Sequence, residues 1–206
     1  MTFEEAQDRV KISHFTRKGY KIRGVVHVGA NDGFEIQFYL ALGAELVVAF
    51  EPLISASSKL FETYGSDVRV ELFNCALGDH EYWQELTIAP GDGQGSTFLP
   101  EVTQSFKAAG TQSTLVRRFD SMGIDIAPCN TLVVDTQGME LQVLKGFGEQ
   151  LAHFDFLNIE CSRVPLYVGG APAQEVIDYL AEQGFDQDTP IVDHDDIMFV
   201  RRGVKP

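Results

Sequence analysis

From residue 24 onward the chain alternates short, unbroken apolar runs with segments whose apolar residues recur at helical spacing. Runs at 24–28, 46–50 and 68–73 flank helical patterns at 34–42 and 55–64. That order predicts βαβ units and a parallel sheet. The runs lack polar alternation, as strands do when helices cover both faces of their sheet. Gly43 and Gly65 then fall where the two helices should end.

After Asn74 the pattern loosens into a hairpin or loop region, with a strand-like run at 83–89, a glycine-rich turn at 91–95 and a polar stretch through Thr114. Residues 79–118 therefore read as an insertion that sets substrate specificity. The alternation resumes with a strand at 131–135, a helix from Gly138 to about Phe147 and a strand at 154–160. Pro172 suits a first helical turn, Val176, Ile177 and Leu180 share one apolar face, and Gly184 stops that helix before a closing strand at 197–201. Ahead of the first strand, Phe3, Ala6 and Val10 sit at helical spacing in a charged stretch ending near Gly19. The reading there is a helix packed on the sheet edge, with a lid over the active site as the alternative.

The length of 206 residues suits one domain, 1–206, around a single core. Apolar residues make up 44% and charged residues 22%, which leaves little room for disorder. No apolar run is long enough to cross a bilayer and the N-terminus lacks a signal-peptide core, so a cytoplasmic location is expected. A formal charge of -14 repels phosphate backbones and anionic lipid, so neither nucleic acid nor membrane is an expected partner. Cys75, Cys129 and Cys161 are odd in number and widely spaced, which argues for buried, reduced thiols. The oligomeric state leaves no trace in the sequence.

Candidate chemistry clusters at the strand ends. The first strand runs into Gly29-Ala30-Asn31-Asp32-Gly33 and then into a helix, where an α/β sheet binds its ligand. Gly29, Ala30, Asn31 and Gly33 are the first candidate contacts, because glycines here let a ligand approach the backbone closely. The spacing is Gly-x-x-x-Gly, and a dinucleotide fingerprint would be Gly-x-Gly-x-x-Gly. The second strand ends in Glu51-Pro52, about twenty residues on, where an acid that binds ribose hydroxyls should lie. A carboxylate accepts two hydrogen bonds side by side, although one at the start of a helix is the competing reading for Glu51. The third strand ends in Asn74-Cys75-Ala76-Leu77, where backbone groups of Ala76 and Leu77 would read an adenine edge.

These three motifs, with Val134-Asp135-Thr136-Gln137-Gly138-Met139-Glu140-Leu141 and Asn158-Ile159-Glu160, resemble the FkbM-type methyltransferases. The resemblance covers about residues 24–201. It implies an α/β, Rossmann-like class I methyltransferase fold: a mostly parallel central sheet, helices on both faces and an antiparallel C-terminal strand. It further implies S-adenosylmethionine as cofactor and O-methylation of a small acceptor, a hydroxylated sugar or secondary metabolite. Two positions depart from the pattern, with His27 where many relatives carry aspartate and Gln137 where many carry glutamate. Glu35 is the nearest substitute for binding the methionine amino group, unless it only complements the helix dipole.

Transfer to an alcohol must also remove a proton, by a positioned base or with a Lewis-acidic metal. Asp135 and Glu160 end central strands on the cofactor side, and Asp135 is the stronger candidate. Together they would divide base and orienting roles or hold a magnesium or manganese ion. The metal-free reading is favoured, since no third ligand is securely placed beside them. The competing structural readings are a helix cap for Asp135 and a salt bridge to Arg163 for Glu160. His27 ranks third, as a base only if its ring faces the pocket. His194, Asp195 and Asp196 resemble a metal cluster but read as a solvated turn before the last strand. A non-catalytic S-adenosylmethionine-binding module and, less favoured, a nicotinamide-dependent oxidoreductase complete the function classes.

Overall fold

The computed structural model describes residues 2–103, 107–191 and 193–206. Two short helices, α1 (Phe3–Gln7) and α2 (Ser13–Arg17), precede the first strand. A capping box starts α1: the Glu5 amide donates to Thr2 Oγ1, and the Thr2 amide donates to the Glu5 carboxylate at 2.8 Å. One helix with Phe3, Ala6 and Val10 on its inner face was the sequence expectation. Phe3 is instead 45% exposed, and Ala6, Val10, Ile12 and Phe15 form the buried set. Phe15 packs on Phe156 with ring centroids 4.9 Å apart, so the segment lies on a sheet face and not at the edge.

Alternation then proceeds through β1 (Gly24–Val28), α3 (Ile36–Ala41), β2 (Leu46–Phe50), α4 (Ile54–Tyr64) and β3 (Val70–Phe73). Next come β4 (Ala76–Leu77), β5 (Tyr82–Ile88) and β6 (Gly110–Arg117). The chain finishes with β7 (Thr131–Val134), α5 (Glu140–Gly146), β8 (Phe156–Ser162), α6 (Ala173–Glu182), β9 (Phe185–Gln187) and β10 (His194–Arg201). Seven strands form one sheet in the order β3-β2-β1-β7-β8-β10-β9. Strands β3, β2, β1, β7 and β8 are parallel, and β10 runs antiparallel between β8 and β9. This is the class I methyltransferase architecture.

Successive side chains on a strand point to opposite faces, and the core divides accordingly. Val25, Val47, Val133 and Phe156 pack with residues of α1, α2 and α3, whereas Val26, Val48, Leu132 and Leu157 pack with residues of α5 and α6. Strands β1, β2, β7 and β8 are thus buried on both sides, which is why the sequence shows unbroken apolar runs there.

The expected loop region holds more structure than its polarity suggested. Strand β6 pairs antiparallel with β5 and parallel with β4 in a second, three-stranded sheet. The residues of β6 outside Thr114 and Val116 keep some exposure, so its polar side chains fit a strand with one face toward solvent. Strand β10 starts at His194, so the turn expected over His194, Asp195 and Asp196 is ladder: the three pair with Ser162, Cys161 and Glu160. All three cysteines are free and buried. Among the described residues no helix is long and apolar enough to cross a membrane.

Candidate active site

The carboxyl ends of the parallel strands open on a cavity of about 540 Å³. At its floor, β1 breaks into a loop at Gly29, whose φ is 87°. A Cβ there would lie 1.7 Å from the Asp135 carbonyl oxygen, so only glycine lets β1 and β7 end side by side. The Gly29 and Ala30 amides both donate to the Phe50 carbonyl, at 2.9 and 3.0 Å. Asn31 follows with a left-handed φ of 49°, and its amide donates to Glu51 Oε2 at 2.8 Å. The other oxygen of Glu51 accepts the Leu53 amide, at the start of α4, at 2.7 Å. Glu51 therefore does hold a helix start, and it also ties the β1 loop to the end of β2. Burial pushes its carboxyl up to about 7, against the pull of those two amides.

Pro52, Ala76 and Leu77 join Glu51 on the cavity wall. Two candidates stand apart from it. The side chain of Asn74 donates to the Glu51 and Pro52 carbonyls, at 2.8 and 3.1 Å, and braces the wall from behind. Gly33 packs under α4, where a Cβ would meet Leu60 and Tyr64 at 3.1 Å.

Asp135 and Glu160 reach the opposite end of the cavity, from β7 and β8. Between them lies Gln137, whose Nε2 donates to Asp135 Oδ1 at 2.6 Å and to Glu160 Oε2 at 2.7 Å. Gln137 is itself fixed from three sides: its φ is a left-handed 54°, Thr97 Oγ1 donates to its carbonyl at 2.8 Å, and the Tyr167 hydroxyl donates to its Oε1. Burial, with the Asp135 carboxyl beside it, holds Glu160 well above the usual carboxylate range. The sequence marked Gln137 only as a departure from a pattern, and its place between two strand-end acids was the available signal.

Neither structural reading of the two acids matches the geometry. Helix α5 has no side-chain cap, and the loop before it is satisfied by Glu140, which accepts from the amides of Thr136 and Gly138 at 3.2 and 3.0 Å. Arg163 approaches Asp193 at 3.6 Å, while Glu160 Oε1 lies 3.5 Å from His194 Nε2.

His27 lines the cavity but is 3% exposed, with Nδ1 3.3 Å from the Tyr39 hydroxyl and Nε2 3.7 Å from Glu35. The Tyr39 hydroxyl also donates to Glu35 at 3.1 Å, so the three form one chain of contacts with Glu35 at its open end. The remaining wall, with Phe34, Leu86, Phe98 and the 93–96 loop, comes largely from the second sheet and its connections. Nothing in the sequence marked Phe98 or Ser96 as a lining residue.

A family model described as the methyltransferase FkbM domain matches residues 27–186. The 2-O-methyltransferase NoeI of Sinorhizobium fredii (strain NBRC 101917 / NGR234) is 27% identical over an alignment of 170 residues, gaps included, that covers 76% of this chain and 70% of that protein. Among solved structures, the methyltransferase FkbM of Methylobacillus flagellatus KT superposes with a TM-score of 0.59 at 17% identity. That alignment covers 87% of this chain but 44% of the other, so the chain spans less than half of that structure. Fibrillarin of Aeropyrum pernix, with natively bound S-adenosyl-L-methionine, gives 0.52 at 12% identity over 95% of this chain and 76% of that one. The structural likenesses show the fold, and the family match, which spans most of the chain, shows the rest: this chain belongs to the FkbM family of methyltransferases.

Proposed function

We propose that the chain transfers the methyl group of S-adenosylmethionine to a hydroxyl oxygen of a small acceptor, a sugar or hydroxylated natural product. The carrying observation is the Asp135–Gln137–Glu160 constellation, a pair of acids fixed by one amide in the same cavity as the glycine loop and the buried Glu51. The name of the Sinorhizobium relative, a 2-O-methyltransferase, supports oxygen as the target atom.

The residues present suit the cofactor. Gly29 lets the ends of β1 and β7 meet at the cavity floor, and Glu51 keeps lone pairs for ribose hydroxyls after accepting two amides. Ala76 and Leu77 would offer backbone to the adenine edge, and the exposed side of Glu35 would hold the methionine amino group. The amides of Gly29, Ala30, Asn31 and Gly33 are already paired within the protein, as is that of Phe34 with Asp32. Five of the loop's amides are thus already used and few remain for a pyrophosphate, which favours a nucleoside sulfonium over a dinucleotide.

When bound, the cofactor supplies an electrophilic methyl group, so the protein's task is alignment, exclusion of water and removal of one proton. Asp135 accepts the hydroxyl proton as the methyl transfers. Glu160 orients the hydroxyl and Gln137 keeps the two acids in register. His27 positions Glu35 through Tyr39 and is not the base. The Gln137 amide donors occupy the space between the carboxylates, which favours transfer without a metal ion. Residues 79–118 carry acceptor specificity, since Leu86, Phe98 and the 93–96 loop wall the acceptor side.

The test is incubation with S-adenosylmethionine and a panel of methyl glycosides, following S-adenosylhomocysteine and locating the new methyl by NMR. The expected product is a methyl ether. Turnover confined to amine or carbon acceptors would overturn the reading.

A further inference from the structure

Glu160 faces two ways. Its Oε2 accepts the Gln137 amide inside the cavity, and its Oε1 lies 3.5 Å from His194 Nε2 on the outer side. A second, smaller cavity of about 20 Å³ lies there, lined by Glu160, Ser162, Tyr167 and His194 among others, of a size to hold one water. Glu160 lines both cavities. His194 is pinned by Ser162, whose Oγ is 2.7 Å from Nδ1, and its side chain is 42% exposed. A partly exposed imidazole thus stands directly behind the Glu160 carboxyl.

Methyl transfer to an alcohol releases one proton, and a base covered by bound cofactor and acceptor must discharge it before the next turnover. We propose that His194 is the outlet: Glu160 passes the released proton to His194, directly or through one water, and His194 gives it to solvent. The inference rests on the carboxylate-base reading above. His194 touches no substrate and acts through Glu160, so it is a positioning residue for proton exit and not a catalytic one.

The step balances without any redox partner. As the acceptor O–CH3 bond forms and the C–S bond breaks, the acceptor O–H bond breaks and its proton joins the Asp135–Glu160 pair. A carboxyl O–H of Glu160 then breaks as N–H forms at His194 Nε2, and that N–H proton leaves to water. The required tautomer is the one in which Nδ1–H donates to Ser162 Oγ and Nε2 presents its lone pair to Glu160.

Charged and polar groups face the ring from both strands. Glu160 and Ser162 face it from β8, with Asp135 and Glu140 behind Glu160 and Tyr167 across the small cavity. Asp195 and Asp196 flank it on β10, where Lys11 pairs with both at 2.7 and 3.5 Å, and Arg163 is drawn to Asp193 at 3.6 Å. Carboxylates therefore outnumber the cations around the imidazole.

The experiment compares His194→Ala and His194→Gln with the wild type, using the methyl glycoside turned over in the assay above. Both should lower kcat by about tenfold, less than the hundredfold or more expected for loss of the base itself. KM and cofactor affinity should hold, the pH–rate profile should shift, and added imidazole should restore the Ala variant. The Gln variant keeps the test valid if Ala disturbs the fold. An acceptor-free arm follows the His194 ring by NMR: Glu160→Gln should shift the Nε2 resonance, because the carboxyl that faces that nitrogen is replaced by an amide. Wild-type kcat in both His194 variants, or an unmoved Nε2 resonance, overturns the relay. Asp135→Asn in parallel separates the two failures: a wild-type rate there removes the base and the relay together, whereas an inactive Asp135→Asn beside fully active His194 variants removes the relay alone.

Discussion

The carboxylate of Glu51 accepts the backbone amide of Asn31 at 2.8 Å, across twenty residues of chain, and so joins the ends of two neighbouring strands. Asn31 holds a left-handed backbone to make that bond, at a conformation costly for most residues. A single buried acid therefore shapes the glycine loop as well as offering itself to a ligand.

Glu51→Gln should weaken S-adenosylmethionine binding by roughly 1.5–3 kcal/mol, the range for a hydrogen bond to a charged group, or about 10- to 100-fold in Kd. The fold should persist, because the amide oxygen still accepts one of the two backbone donors. Calorimetry on the folded variant checks this, and an unchanged Kd would confine Glu51 to holding the loop and the start of α4. In a thermal-shift control, S-adenosylmethionine should stabilise the wild type and NADH should not.

Glu51 also predicts a pH dependence of stability. Its folded-state value of about 7 lies above the ordinary 4.5, so between these limits the native protein holds more protons than the unfolded chain. Stability should therefore fall as pH rises through that window, by roughly 3 kcal/mol for this group, and Glu160, shifted the same way, adds to the fall. Urea unfolding at about pH 5 and about pH 8 measures it. Glu51→Gln should flatten the difference, and an equal difference in wild type and variant would assign the effect elsewhere.

Asp135→Asn keeps size and hydrogen-bonding capacity but removes the charge. Methyl transfer should fall by about a hundredfold or more while cofactor binding stays nearly constant. A wild-type rate would end the assignment of Asp135 as base. EDTA should leave the wild type active, because an amide donor already stands between the two acids; loss of activity restored by magnesium or manganese would show a metal-assisted reaction instead.

Gly29→Ala should be among the most damaging small substitutions in the chain. The added methyl would meet the Asp135 carbonyl at 1.7 Å, and a φ of 87° adds roughly 1–2 kcal/mol of its own. Strands β1 and β7 would have to part at the cavity floor. The expected result is a large drop in melting temperature or insoluble protein, against a smaller loss for Gly43→Ala, where a Cβ meets nothing within 4 Å and only the φ of 99° opposes it.

The local pattern of the sequence was enough to define most of the main sheet. Strands buried on both faces must be apolar throughout, so β1, β2 and β7 appear as uninterrupted runs, and the residues that end them fall at the ligand-binding edge of any such sheet. That is why Gly29, Glu51 and Asp135 were legible as a set before any coordinates. Other features had no local signature. Strand β6 carries polar side chains because one side meets solvent, β9 is only three residues long, and β10 draws His194, Asp195 and Asp196 into pairing by partners on β8.

What a side chain bonds to depends on residues distant in the chain, and only the tertiary structure decided it. Asn74 turned behind the wall because the Glu51 and Pro52 carbonyls needed a donor, and Gly33 turned under α4. Gln137 became the clamp of the acid pair because Thr97 and Tyr167, forty residues before it and thirty after, hold it in a left-handed turn. Periodicity and composition report the burial of a position, which is a property averaged over its surroundings. A hydrogen bond depends on one partner at one distance and angle, and that partner is set by the folding of the whole chain.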